Sequence, residues 1–184
     1  IRLHYKSQTD TIEGVKEGIL LEAGFDTVTP NQKRLISSWA YERVKENGAI
    51  EILDNRAFDI LCYHPGYTFV EKLQTIATKF RQEQNGAAVR PNLMRQYYDI
   101  ARLLDHEDVQ QFIGTSEYQA HKNERFPAKD KEIPITENEA FLLNNPALRA
   151  QFRKRYEETA SLYYTGQPDF DSLLAKIKEH IGKL

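Results

Sequence analysis

What this chain has little of narrows its chemistry first. It holds a single cysteine, Cys62, in 184 residues, so no internal disulfide can form and a reducing cytosol suits it. One cysteine cannot build a zinc ribbon, and the five histidines, His4, His64, His106, His121 and His180, are scattered without ligand spacing. No apolar run approaches the roughly 18 residues that a membrane helix requires, and no signal-peptide pattern opens the chain. The expectation is a soluble cytoplasmic protein with no membrane partner. Glycine-rich phosphate loop, nucleophile elbow and HExxH pair are all missing. A large excess of one charge is missing too, since the net charge is −2 and the pI is near 6.3. Any nucleic-acid contact must therefore come from a local basic surface.

The length fits one domain, or one domain with a helical annex, and is ample for a core. The chain opens at Ile1 rather than methionine, and Arg2-Leu3-His4-Tyr5-Lys6 already alternates like a strand in mid-sheet. Residues belonging to the fold are expected upstream. Ser7 to Asp10 reads as a turn, and Gly18 to Gly24 as a second strand carrying one acid, Glu22. Glu22 is either a wet strand end or a metal ligand, because a carboxylate projecting from a sheet is what Mg²⁺ uses. Thr29-Pro30-Asn31 is expected to open a helix from about Gln32 to Lys45 that buries Leu35, Trp39 and Val44 and stops at Asn47-Gly48. Ile50 to Leu53 and Ala57 to Tyr63 read as two strands joined by Asp54-Asn55-Arg56, a hairpin-like turn.

From Thr68 onward the pattern is almost wholly helical. Thr68 with Glu71 three residues later reads as a capping box. At about 100° per residue, Phe69, Leu73, Ile76, Ala77 and Phe80 form one stripe, with Lys72 on its flank. A polar loop from Glu83 to Asn92 follows. Leu93, Tyr97, Ile100 and Leu104 make the next stripe, and Asp99 lies off its centre between Arg95 and Leu103. Glu107 to Lys122 reads as a further helix and Phe126 to Ile135 as an extended connector. Leu148, Phe152, Tyr156, Thr159 and Tyr163 mark a stripe broken at Gly166. Pro168-Asp169 starts the last helix, with Phe170, Leu173, Leu174, Ile177 and Ile181 recurring as core. No internal repeat is present. Residues 1–66 are expected to form a β-rich part and 67–184 a helical part packed on it as one continuous unit.

Three charged residues remain as candidates for chemistry: Glu22, Lys72 and Asp99, with Arg95 one turn before Asp99. The plain account of Lys72 is an exposed lysine on a helix border. That of Arg95 and Asp99 is an i,i+4 ion pair worth a few tenths of a kcal/mol. His121, Lys122 and Arg125 either touch phosphate or make a solvated helix face.

The ordered set of motifs resembles the AbiEii/AbiGii nucleotidyltransferase toxin family. It comprises Ile19-Leu20-Leu21-Glu22, Ile36-Ser37-Ser38, Thr68 to Leu73, Tyr97-Tyr98-Asp99-Ile100-Ala101-Arg102-Leu103-Leu104, His121-Lys122 followed by Phe126, and the ending at Tyr156 and Pro168-Asp169-Phe170-Asp171-Ser172-Leu173-Leu174. The resemblance implies an α/β (α+β) nucleotidyltransferase-like fold, related to DNA polymerase β, with a small mixed sheet and a mainly helical C-terminal half. It implies a bacterial toxin–antitoxin or phage-defence role, with nucleotide transfer from an NTP, using Mg²⁺, to an acceptor that for some members is tRNA. Lys72 would meet the triphosphate, Arg95 would join it on the nucleotide, Asp99 would be the base or orienting acid, and Glu22 would be a metal ligand across the cleft. The family's Gly-Ser or Gly-Gly turn and following Asp-x-Asp belong before the first strand, so these 184 residues are expected to be N-terminally and catalytically incomplete. The rival is a non-catalytic module that holds an antitoxin or an RNA.

Overall fold

The computed structural model describes residues 1–6, 17–48, 51–163 and 165–184. The class is α+β as expected, with the β part made of two separate two-stranded antiparallel sheets. Strand β1 (Arg2–Leu3) pairs with β2 (Ile19–Leu20), Arg2 opposite Leu20 and Leu3 opposite Ile19. The expected strand from Gly18 to Gly24 shrinks to these two residues, because a strand extends only as far as its backbone groups find a partner. The turn expected at Ser7 to Asp10 lies outside the described residues.

Chain contacts define two compact units, Asp26–His64 on one side and Ile1–Phe25 with Pro65–Leu184 on the other. In the smaller unit β3 (Asn31–Ile36) runs antiparallel to β4 (Ala57–Tyr63), from Asn31 opposite Tyr63 to Ile36 opposite Ala57. A register shift between Arg34 and Ile36 inserts one extra residue in β4, where Asp59 takes a φ of 55°. That is a bulge placed on a residue type that tolerates the left-handed region. The helix expected from Gln32 to Lys45 is therefore wrong over its first half: α1 spans only Trp39–Asn47. The β-branched and aromatic run of β4 needs a ladder, and Asn31–Ile36 supplies it. Ser38 then caps α1, its Oγ accepting from the Tyr41 N–H at 3.0 Å, and Gly48 ends the helix with a φ of 60°. Leu35 and Trp39, expected in the core, are 49% and 71% exposed. No strand forms over residues 51–56, and Ile50 lies outside the described residues. Asp54 and Arg56 of the expected turn instead pair with each other at 2.5 Å.

In the larger unit, α2 (Pro65–Gln84) begins at a proline, whose missing N–H costs nothing in a first turn. Thr68 thus sits inside the helix rather than capping it. The expected stripe is the buried face, with Phe69, Leu73 and Ile76 wholly shielded. Gly66 lets this helix approach Phe112 so closely that a Cβ would collide with the ring. Helix α3 (Leu93–Leu103) buries Leu93, Tyr97 and Ile100, with Leu104 just beyond. The Tyr97 hydroxyl donates to the Ala140 carbonyl at 2.7 Å, and burial pushes its acidity down by raising the pKa.

The single helix expected from Glu107 to Lys122 is two, α4 (Glu107–Phe112) and α5 (Ser116–Arg125). Gly114 at φ 85° turns the chain between them, and Thr115 caps α5 by accepting from the Tyr118 N–H at 3.1 Å. The expected connector contains a short helix, α6 (Ala128–Lys131). Its Asp130 side chain is 1% exposed and accepts from Arg81 Nε at 2.5 Å and from the Thr78 hydroxyl. A buried carboxylate has to be paired, and these α2 partners hold the segment in place. After α7 (Glu139–Leu142), α8 (Pro146–Glu157) starts from Asn145 and stops before Thr159 and Tyr163, which continue past it in a tighter turn. Asp169 caps α9 (Phe170–His180) through the Ser172 N–H at 2.9 Å. Tyr97, Phe152, Tyr156 and Phe170 meet at ring distances between 5.4 and 6.1 Å, joining α3, α8 and α9.

Candidate functional site

Lys72 and Asp99, 27 residues apart, meet across two helices: Lys72 Nζ donates to Asp99 Oδ2 at 2.9 Å. Their orientation follows from the stripes. Leu73 and Ile76 turn α2 inward, which leaves Lys72 on its border. Tyr97 and Ile100 do the same for α3 and leave Asp99 facing the lysine. The two side chains are 30% and 36% exposed, so the pair is neither sealed in the core nor a free surface contact. Asp99 is thus held by a partner on the neighbouring helix, rather than by Arg95 along its own.

Arg95 stands beside the pair. With Tyr98, Asp99, Leu162, Tyr163 and Thr165 it lines a hollow of about 190 Å³. Tyr98 and Tyr163 meet edge to face there, with ring centres 4.8 Å apart at 63°. Burial pushes the Tyr163 hydroxyl up, with Thr159, Tyr156 and then Arg95 pulling it down and Asp99 adding to the rise. The sequence stripe assigned Tyr163 to a helix core. It reaches the hollow because α8 ends first, at Glu157, and nothing in residue spacing marks that.

Glu22 lies past the end of β2, is exposed, and is absent from the residues lining this hollow. Among the described residues no group of three or more His, Cys, Asp or Glu could hold a metal ion. Glu22 therefore stands as a lone carboxylate among the described residues. Asp169-Phe170-Asp171 has the Asp-x-Asp spacing, but both acids are engaged. Asp169 caps α9, and Asp171 accepts from Arg149 Nε at 2.7 Å and also from Arg153.

The solvated helix face expected as one reading of the His121 group is not what forms. His121 is 9% exposed, its ring 4.6 Å from that of Tyr67 and its Nε2 3.5 Å from Glu71 Oε1. Arg125 Nη2 reaches the same oxygen at 3.6 Å. Lys122 turns to the Leu184 carbonyl, and burial lowers its pKa. This is a packed joint between α2 and α5, not a solvated face.

The family described as nucleotidyl transferase AbiEii toxin, type IV toxin–antitoxin system, matches residues 1–176. No curated protein and no solved structure matches. With nearly all of its 184 residues covered, the chain belongs to the AbiEii nucleotidyl transferase toxin family.

Proposed function

We propose that the protein transfers a nucleotide from an NTP to an acceptor, with tRNA as the acceptor class, as the toxin half of a bacterial toxin–antitoxin or phage-defence pair. The observation that carries this reading is the Lys72–Asp99 contact at 2.9 Å, in a chain whose family is one of nucleotidyl transferases. In-line displacement at the α-phosphorus joins the acceptor oxygen as the bond to the pyrophosphate leaving group breaks, and it needs a cation where charge develops and a group that orients the attacking hydroxyl. In the resting pair each residue holds the other. An arriving triphosphate competes for the Lys72 ammonium, and its departure leaves Asp99 an acceptor for the proton of the incoming hydroxyl. Arg95 adds a second cation on the nucleotide side. Mg²⁺ is the metal of this proposal, with Glu22 as a candidate carboxylate ligand.

The test uses the full-length protein, labelled NTPs and total tRNA. Lys72→Ala and Asp99→Ala are each expected to lower transfer by about 10²- to 10⁴-fold and to relieve growth inhibition, with thermal unfolding little changed. Full transfer in both folded variants would remove these residues from the site. Tight binding of RNA or antitoxin without transfer in the unaltered protein would instead establish a non-catalytic module.

A further inference from the structure

Beside the Lys72–Asp99 pair, the hollow lined by Tyr98 and Tyr163 has walls of a kind the transfer chemistry does not require. We propose that it is a nucleobase site, in which a base of the substrate lies against the Tyr98–Tyr163 aromatic pair with its polar edge toward Thr165 and Arg95. This rests on the nucleotidyl transfer proposed above and adds to it the part of the substrate that the reaction centre does not touch.

Four observations carry the inference. The composition is that of a site for a flat heteroaromatic: two tyrosine rings and Leu162 for the faces, and a few polar groups for the edge. Bases are held on such rings whatever their identity, because each presents a π face, and an arginine guanidinium adds to the same stack. The size is right as well. At about 30 Å³ per water, a volume of about 190 Å³ holds roughly six waters, which suits a base and is cramped for a triphosphate with its hydration. Then there is polar capacity on the rim: Arg95 and Thr165 line the hollow, while the Tyr163 hydroxyl is shielded beside Thr159 and Tyr156. A base edge carries both donors and acceptors and can bond the Arg95 and Thr165 side chains. Finally, Asp99 belongs to both places. It lines the hollow and accepts from Lys72, so a base seated there is one side chain away from the cation proposed for the phosphates.

The base comes from either of two sources, the incoming NTP or the 3′-terminal nucleotide of the acceptor RNA, and the experiment separates them. Calorimetric titration of the full-length protein compares each of the four NTPs with ribose 5′-triphosphate, which has no base. A parallel arm compares a short RNA with the same RNA carrying an abasic 3′ end. Stacking of one base makes the base-bearing probe about tenfold to a hundredfold tighter in at least one arm, and that arm identifies the source. Tyr98→Leu and Tyr163→Leu are expected to erase the difference while leaving affinity for the base-free probe unchanged. Thr165→Trp, at an exposed rim position, fills the hollow and serves as the variant that leaves the core untouched. Lys72→Ala is expected to weaken NTP and ribose triphosphate alike. If the base-bearing probes keep their advantage in all three hollow variants, or never had one, the nucleobase site is overturned while triphosphate binding and transfer stand. If the unaltered protein binds neither nucleotide nor RNA, nucleotidyl transfer itself fails, and this site with it.

Discussion

Gly66 contributes to the site by having no side chain. It lets the first turn of α2 press against Phe112, whose ring also stacks on Tyr67 at 4.7 Å, and so helps set the helix from which Lys72 projects. Adding one methyl group there overpacks the joint. Gly66→Ala is expected to cost about 1–3 kcal/mol, read as a lower urea midpoint with an unchanged slope. A variant of full stability would mean that Phe112 moves aside freely. The sequence shows a glycine after a proline and says nothing of this, because Phe112 stands 46 positions away. His121 teaches the same lesson. Its spacing excludes a metal site, but the packing between Tyr67 and Glu71 comes from another helix and leaves no trace in local pattern. Lys72 and Asp99 were legible as border residues because each sits next to a strong stripe. That they touch was not, since two stripes fix which way each helix faces but not how far one slides along the other.

Elements were legible in proportion to their length and to how much of their stability is local. Helices α2, α3 and α9 present repeated apolar positions over several turns, and their buried faces are those the periodicity marks. The segment Asn31–Ile36 failed because Leu35, Trp39 and Val44 also suit a helical reading, while the partner that makes it a strand, β4, begins 21 residues after β3 ends. The Ser37-Ser38 pair ahead of Trp39 is the local signal for the true helix start. Across the helical unit, Glu83 of α2 and Arg155 of α8 form a two-pronged pair at 2.9 and 3.1 Å, with side chains 5% and 13% exposed. Glu83 also accepts from the Arg90 N–H at 2.8 Å, so one carboxylate pins the loop that leads into α3. Removing it strands a shielded guanidinium. Glu83→Ala is expected to destabilise by about 3–5 kcal/mol, and the Glu83→Ala, Arg155→Ala double variant by clearly less than the sum of the two single changes. Additive losses in chemical denaturation would show that the pair acts as two independent side chains.

At the scale of the whole molecule, class and family were within reach of the sequence, because both rest on the order of motifs along the chain rather than on contacts. No described helix is long and apolar enough to cross a membrane. The smaller unit, Asp26–His64, contains the β3–β4 ladder. The 2.9 Å meeting of Lys72 with Asp99 has a last consequence for how the molecule looks from afar. Opposite unit charges that close cancel beyond a Debye length, about 8 Å at physiological salt, and the molecule as a whole carries only −2. Under the proposed function, an NTP tetra-anion approaching through solution would be neither drawn in nor turned away by the lysine until it arrives. Its capture rate in stopped flow should vary by less than about threefold between low and physiological salt, whereas Asp99→Asn, which unmasks the ammonium, should speed capture at low salt by about tenfold. Equal salt dependence in the two proteins would mean that Lys72 is already visible to distant anions. Under the proposed function, a latched Lys72–Asp99 pair would leave capture to a ligand that fits well enough to part it.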